Sequence, residues 1–402
     1  MKRFLLIFLG TVFVFSCTSV SKKERIQKDF NEIVQQVKQE FAPDRRSETF
    51  EPSVVISEDG KGVVVLKGST TVQEAKEALV DALAQKKIEV LDSMVTLPDP
   101  SLGDKVFALT AQSVINFRYG SGYSNESATQ TVMGTPLKVL EKRGGWSRAV
   151  TPEGYIAWVT NGSIHPMNEA EFIEWTKSDR LIVTTHYTLF RESPSESAEV
   201  VSDGVWGNIV RADGVSGNYN KVILPNGKSA FVLRAHTADF LKWTESRVPS
   251  AQNIIATAKQ FLGFPYMWGG TSVKAIDCSG FTKSAFYLNG VILERDASQQ
   301  ALTGEDVDIS EGFENLVPGD LLFFGSKATE ERKERITHVG IYLSNGEFIH
   351  SATSVRINSL IPDSFNYYDG SDRLVRAKRL ITKIDQDSGI VSIKNHPWYF
   401  IN

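Results

Sequence analysis

Cys278 is one of only two cysteines in a chain of 402 residues, and it stands inside Asp277-Cys278-Ser279-Gly280-Phe281. Phe281, Ala285 and Leu288 follow at helical spacing, and Asn289-Gly290 supplies a stop. A helix is therefore expected to start at Cys278, with Asp277 as its cap. A thiol in the first turn faces unpaired N–H groups and the positive end of the helix dipole, which favour the nucleophilic thiolate. A lone cysteine is more often a buried structural residue. The polar neighbours and the glycine-rich approach through Tyr266, Trp268, Gly269 and Gly270 weigh against that reading.

His338 and His350 are the second constellation. They fall on two strand-like runs, 337–343 and 347–352, that meet around Asn345-Gly346. A histidine on a strand is usually structural, but two on paired strands beside a nucleophile could share a proton with it. Whether they share a face is a question of register, because side chains alternate along a strand. A strict two-residue Asn345-Gly346 turn sets His350 opposite Ile341, facing away from His338. A three-residue loop, 344–346, sets it opposite Gly340 and puts both imidazoles on one face as diagonal neighbours. The second register is expected.

Several elements must position these groups. Ile254, Ile255, Ala258, Phe261 and Leu262 form a helix face before the glycine-rich stretch, ended by Gly263 and Pro265. Leu316-Val317-Pro318-Gly319-Asp320 turns into an apolar strand, 321–324. Upstream the chain repeats itself at a constant offset of 73 residues: Phe117-Arg118 recurs as Phe190-Arg191, Val132 as Val205, Gly134 as Gly207, Pro152 as Pro225 and Val159 as Val232. Each copy holds short alternating strands between Gly, Pro, Asn and Asp turns, the pattern of small β-barrels. The hairpin 146–159 looks like the distal part of bacterial SH3-like domains. Such barrels could bind wall polymer or wall off one side of a catalytic groove.

The N-terminal part is expected to be small and mixed. Ile26, Phe30, Ile33, Val37 and Phe41 share one helical face; Asp59-Gly60 joins two strand runs, 54–56 and 63–66. Thr71 and Glu74 form a capping-box pattern ahead of a second helix that runs to about Lys86. Residues 88–91 add another strand. At the start, Met1-Lys2-Arg3 and the apolar run 4–15 read as a secretory signal peptide, and Val14-Phe15-Ser16-Cys17 resembles a lipobox with Cys17 lipidated. With Cys17 so used, Cys278 has no disulfide partner. A net charge of −4 gives no sign of nucleic-acid binding.

Five separated motifs together resemble the NlpC-type papain-like cell-wall peptidases: Tyr266-x-Trp268-Gly269-Gly270, Asp277 to Phe281, Pro318-Gly319-Asp320-Leu321, His338-Val339-Gly340 and His350-Ser351. With two SH3-like copies upstream, the chain resembles the branch that cleaves γ-D-glutamyl–L-diamino acid bonds in peptidoglycan stem peptides. The resemblance implies a multidomain α+β fold: a signal peptide at 1–16, a helix and small α/β region at 18–100, SH3-like β-barrels at 104–168 and 178–242, a papain-like peptidase domain at 248–384 and an extension at 385–402. It further implies Cys278 as nucleophile, His338 as general base and acid, His350 orienting His338, and Tyr266 as an oxyanion donor. Asp296 and Glu126 would hold a free N-terminal L-Ala ammonium, with Tyr155 as a wall of that pocket, Trp268 and Asp277 shaping it and Ser279 binding the γ-D-glutamyl carboxylate. For Glu126 and Tyr155 the plain alternatives are an exposed acid and a barrel-core aromatic. No cofactor or metal is implied, since no HExxH or paired-cysteine motif occurs. The expected protein is an exported, lipid-anchored monomer whose partners are stem peptides and, through the anchor, a membrane. The competing readings are an acyltransferase or amidase on the same core and a non-catalytic wall-binding lipoprotein.

Overall fold

The computed structural model describes residues 22–57 and 63–401. The expected signal peptide, Cys17 and the Asp59-Gly60 turn lie outside them. The chain divides into two compact units at Thr96/Leu97.

In the first unit, helix Lys22–Phe41 buries Ile26, Phe30, Ile33 and Val37. Strands Phe50–Ile56 and Val64–Thr70 pair antiparallel, and Val90–Asp92 runs parallel to the second of them. The second helix covers Gln73–Gln85, but its expected capping box is not formed. The Thr71 hydroxyl accepts from the Thr49 N–H at 2.9 Å instead, which ties the helix entrance to the sheet.

The second unit opens with the repeat. Each copy is a seven-stranded antiparallel sheet, and the strand order along the two sheets is the same when the 73-residue offset is applied. For instance, Ser127–Val132 and Val200–Val205 are equivalent end strands. The expected closed barrels are not what forms: among the described residues no ladder joins Ile164–Met167 to Ser127–Val132 across the first sheet. At that edge the Gln130 side-chain oxygen accepts from the Thr271 N–H (3.0 Å) and the Ser272 hydroxyl (3.1 Å), and the Gln130 carbonyl accepts from the Thr271 hydroxyl (2.9 Å), so the end strand serves as a docking edge.

The remaining core is α+β. Strands Glu305–Val307, Leu374–Arg379, Leu321–Ser326, Arg335–Ser344, Glu347–Ser351 and Val355–Ser359 form one sheet in that spatial order. Helix Cys278–Tyr287 lies in its apolar core, with Phe281, Ala285 and Phe286 fully buried among Phe323, Val339 and Ile349. The last residues are integrated too: Ile390–Ser392 pairs with Val291–Leu293. The buried Arg180 donates to the Tyr399 carbonyl at 2.8 Å.

Candidate active site

Asp277 begins the helix as the sequence anticipates. Its Oδ1 accepts from the Gly280 N–H at 2.6 Å, and its Oδ2 accepts from the Gly269 N–H at 2.9 Å. One carboxylate thus caps the helix and holds the glycine-rich approach. The motif glycine Gly280 is required by close approach, since a Cβ there would lie 2.0 Å from the Gly270 carbonyl. Cys278 forms the floor of a cleft of about 290 Å³, lined also by Tyr119, Tyr266, Trp268, Ser279, Arg295, Asp296 and Arg335.

The hairpin carrying the histidines has the even register: Gly340 lies opposite His350. Its turn is nevertheless the two-residue one, with Asn345 (φ 50°) and Gly346 (φ 79°) both left-handed. Leu343 is bulged out between the Tyr342 and Ser344 pairings, and that extra residue restores the shared face. Gly340 has a matching reason: a Cβ would meet the Phe348 ring at 2.7 Å and the His350 Cβ at 3.1 Å. His338 Nε2 and His350 Nδ1 are 2.6 Å apart, and His350 Nε2 is 2.9 Å from Asn358 Oδ1. Phe348 and Tyr368 flank the fully buried His350 ring, with centroids at 4.7 and 5.0 Å.

The electrostatics differ from the expected resting thiolate. Burial pushes the Cys278 thiol up to about 12, and the adjacent Asp277 carboxylate pushes the same way. Hydrogen bonds from the Val339 and Ser279 N–H groups and the Arg295 charge oppose this only in part. The capping carboxylate offsets the positive end of the helix, so position in the first turn does not ionise the sulfur. Burial also lowers His338 to about 3, with His350 as the next cause, and lowers His350 to about 4. Thiol and imidazoles are all neutral at rest. Burial holds the Tyr266 phenol protonated well above its ordinary range, and a thiolate at Cys278 would add to the effect.

Arg295 is the residue that sequence reasoning passed over. Fully buried, it donates to Asp277 Oδ2 (2.6 Å), Ser279 Oγ (2.9 Å) and, across to the first SH3-like sheet, Thr129 Oγ1 (2.8 Å). An arginine two residues beyond the apolar strand Val291–Leu293 was the available signal, since a buried guanidinium demands acceptors. The expected substrate-binding residues separate into groups. Trp268, Asp277, Ser279 and Asp296 line the cleft. Asp277 and Ser279 have their oxygens engaged by Arg295 and, for Asp277, by backbone N–H groups. Tyr155 is buried in the core of the first sheet, yet its hydroxyl reaches Tyr119 (3.0 Å) and Asp296 Oδ2 (3.4 Å). Glu126 sits on an exposed turn outside the cleft lining. Among the described residues no cluster of His, Cys, Asp or Glu is arranged to hold a metal ion.

Two family models match: the NlpC/P60 family over residues 263–374 and the bacterial dipeptidyl-peptidase Sh3 domain over residues 120–164. The chain is 31% identical to a gamma-D-glutamyl-L-lysine dipeptidyl-peptidase of Bacillus subtilis, over 58% of this chain and 75% of that protein. The chain belongs to the NlpC/P60 family. A protein of the same name from Bacillus cereus is 29% identical over 73% of this chain and 89% of its own length. The crystal structure of an NlpC/P60 family protein from Bacillus cereus shares the fold, with a TM-score of 0.57 and 24% identity over 68% of this chain and 99% of the other. An NlpC/P60 endopeptidase from Photobacterium damselae superposes with a TM-score of 0.52 at 14% identity, covering 87% of this chain and 90% of that one. Membership in the family makes this chain a cysteine peptidase of the NlpC/P60 type.

Proposed function

We propose that this NlpC/P60 peptidase hydrolyses the γ-D-glutamyl–diamino acid bond of peptidoglycan stem peptides with a free N-terminal L-alanine. The observation that carries the reading is the meeting of Tyr155, from the first SH3-like sheet, with Asp296 beside the Cys278 cleft. A cleft-lining carboxylate backed by a phenol suits an ammonium group and discriminates against peptides still linked through that nitrogen. The names of the two Bacillus relatives point the same way.

In this reading Cys278 is the nucleophile and His338 the base. The thiol proton passes to His338 as sulfur bonds to the γ-carbonyl carbon, so charge develops only during attack. The Cys278 N–H, which meets no backbone acceptor among the described residues, and the Tyr266 phenol donate to the oxyanion. His338 then returns the proton to the departing amine as the C–N bond breaks. Water, deprotonated by His338, cleaves the thioester and regenerates the thiol. His350 orients His338, Trp268 walls the cleft, and Ser279 contributes to the binding of the γ-D-glutamyl carboxylate. Asp277 acts through the loop and helix it holds, and Glu126 is the second carboxylate assigned to the ammonium. The chain is exported and held at a membrane through lipid on Cys17, and it works as a monomer on stem peptides.

The test is hydrolysis of L-Ala-γ-D-Glu-diaminopimelate and its lysine counterpart, with and without N-acetylation, by the protein and by Cys278→Ala. Cleavage of the free-amine peptides only, lost in the variant, is the expected result. Equal cleavage of the acetylated peptides would overturn the selectivity. A product joined to an added amine acceptor would favour the acyltransferase reading.

A further inference from the structure

We infer that Asn358 is a positioning residue that sets the tautomer of both histidines and thereby leaves His338 Nδ1 as the proton-accepting nitrogen. The inference rests on the reading of Cys278 and His338 as the reacting pair, and it adds to that pair a residue from a different strand.

The direction of every bond in the chain is fixed from its far end. The Asn366 carbonyl can only accept, so the Asn358 atom 2.8 Å from it is the amide nitrogen, which donates. Asn358 Oδ1 then faces His350 and can only accept. His350 Nε2 must carry its hydrogen there, which makes His350 Nδ1 a lone pair. That lone pair accepts from His338 Nε2 at 2.6 Å. In a neutral imidazole one nitrogen donates and the other accepts, so His338 Nδ1 is left basic.

Three further observations make Asn358 the controlling member. His350 is fully buried, so solvent does not replace the amide as partner. Phe348 and Tyr368 pack on the ring from two sides, and the hydrogen bonds at both nitrogens oppose a flip that would exchange donor and acceptor. Asn366, which orients Asn358, is itself held by donating to the Glu347 carboxylate at 3.1 Å. The charged neighbours are cationic: Arg356 lies opposite His350 in the adjoining strand, and Arg373 acts on His338. Both disfavour an imidazolium, so neither can substitute for Asn358 in setting the neutral tautomer.

The decisive experiment reads the tautomer without turnover. Two-bond 1H–15N correlation spectra of the wild-type protein at pH 7.5 should show both His338 and His350 protonated at Nε2. A His350 protonated at Nδ1 would overturn the inference, whatever the protein cleaves. Asn358→Leu, checked for folding by circular dichroism, should lose the single-tautomer signature of His338. Its kcat on the free-amine tripeptide should fall about 10- to 100-fold, with KM within about twofold. Asn358→Asp keeps the acceptor and should retain kcat within about fivefold, while its added charge moves the acid limb of the pH–rate profile upward. Unchanged spectra and kcat in Asn358→Leu would sink the proposal. Turnover that survives Cys278→Ala would instead refute the underlying assignment of the reacting pair, and the spectra would still decide the tautomer.

Discussion

The two SH3-like copies have the same strand order and opposite relations to the cleft. In the first, Thr129 receives a hydrogen bond from Arg295, Gln130 holds the hairpin that leads into Cys278, and Tyr155 reaches Asp296. At the equivalent positions the second copy has Ser202, Asp203 and Lys228. Ser202 bonds to the adjacent Asp203 carbonyl, Asp203 pairs with Lys274 at a half-exposed site, and Lys228 is exposed. Duplication therefore supplied two frames, and only one carries groups that complete the cleft. A shared architecture says nothing about which copy meets the substrate.

The sharpest way to break this contrast is Arg295→Leu. It leaves the Asp277 charge buried and removes the donor to the Thr129 hydroxyl oxygen, so unfolding in urea should show a loss of about 3–5 kcal/mol. Lys228→Ala in the second copy should change stability by less than about 0.5 kcal/mol. Comparable losses from both would mean that the copies are equally engaged.

Acid should find a weakness that belongs to the histidine hairpin rather than to either copy. His338 and His350 have depressed affinities in the fold, so the unfolded chain binds more protons below about pH 6.5. Their contribution is complete above that pH and is lost as pH falls toward about 4 and then 3. Each adds a slope of about 1.4 kcal/mol per pH unit within the window. His338→Gln should flatten the stability profile there; an unchanged slope would contradict the neutral resting pair.

Gln130→Ala against Asp203→Ala compares the two docking contacts directly. The first strands the Thr271 N–H and Ser272 hydroxyl in a buried site, at a cost of about 2 kcal/mol. The second removes a half-exposed ion pair worth less than about 1 kcal/mol. Chemical denaturation distinguishes them. Tyr155→Phe reads the cleft through substrate instead of stability, since it removes only a hydroxyl: KM for the free-amine tripeptide should rise about tenfold with kcat nearly kept. An effect on kcat alone would place that hydroxyl in the chemistry instead.

Much of the site was legible because its signals are local. Asp277 caps the helix it immediately precedes, and the offset of 73 residues translates the strands of one copy onto those of the other. The shared face of His338 and His350 was anticipated as well, though the three-residue loop invoked for it does not form. Asn345-Gly346 makes the tight turn its residue types favour, and the bulge at Leu343, which no local propensity announces, corrects the register. Arg295 and Asn358 were missed for a related reason. Their importance lies in partners far along the chain or in strands too short to be read.

By itself, then, the order of residues determined the Cys278 helix, the histidine strands and the duplicated frames. Such features need only nearest-neighbour geometry and the alternation of apolar positions. Tertiary structure alone decided that burial favours the protonated sulfur, that Arg295 joins the first sheet to the helix cap, and that the Tyr155 hydroxyl meets Asp296. Charge state and contact depend on what surrounds a group in space, and those surroundings include segments more than a hundred residues away, as Thr129 is from Arg295 and Tyr155 from Asp296.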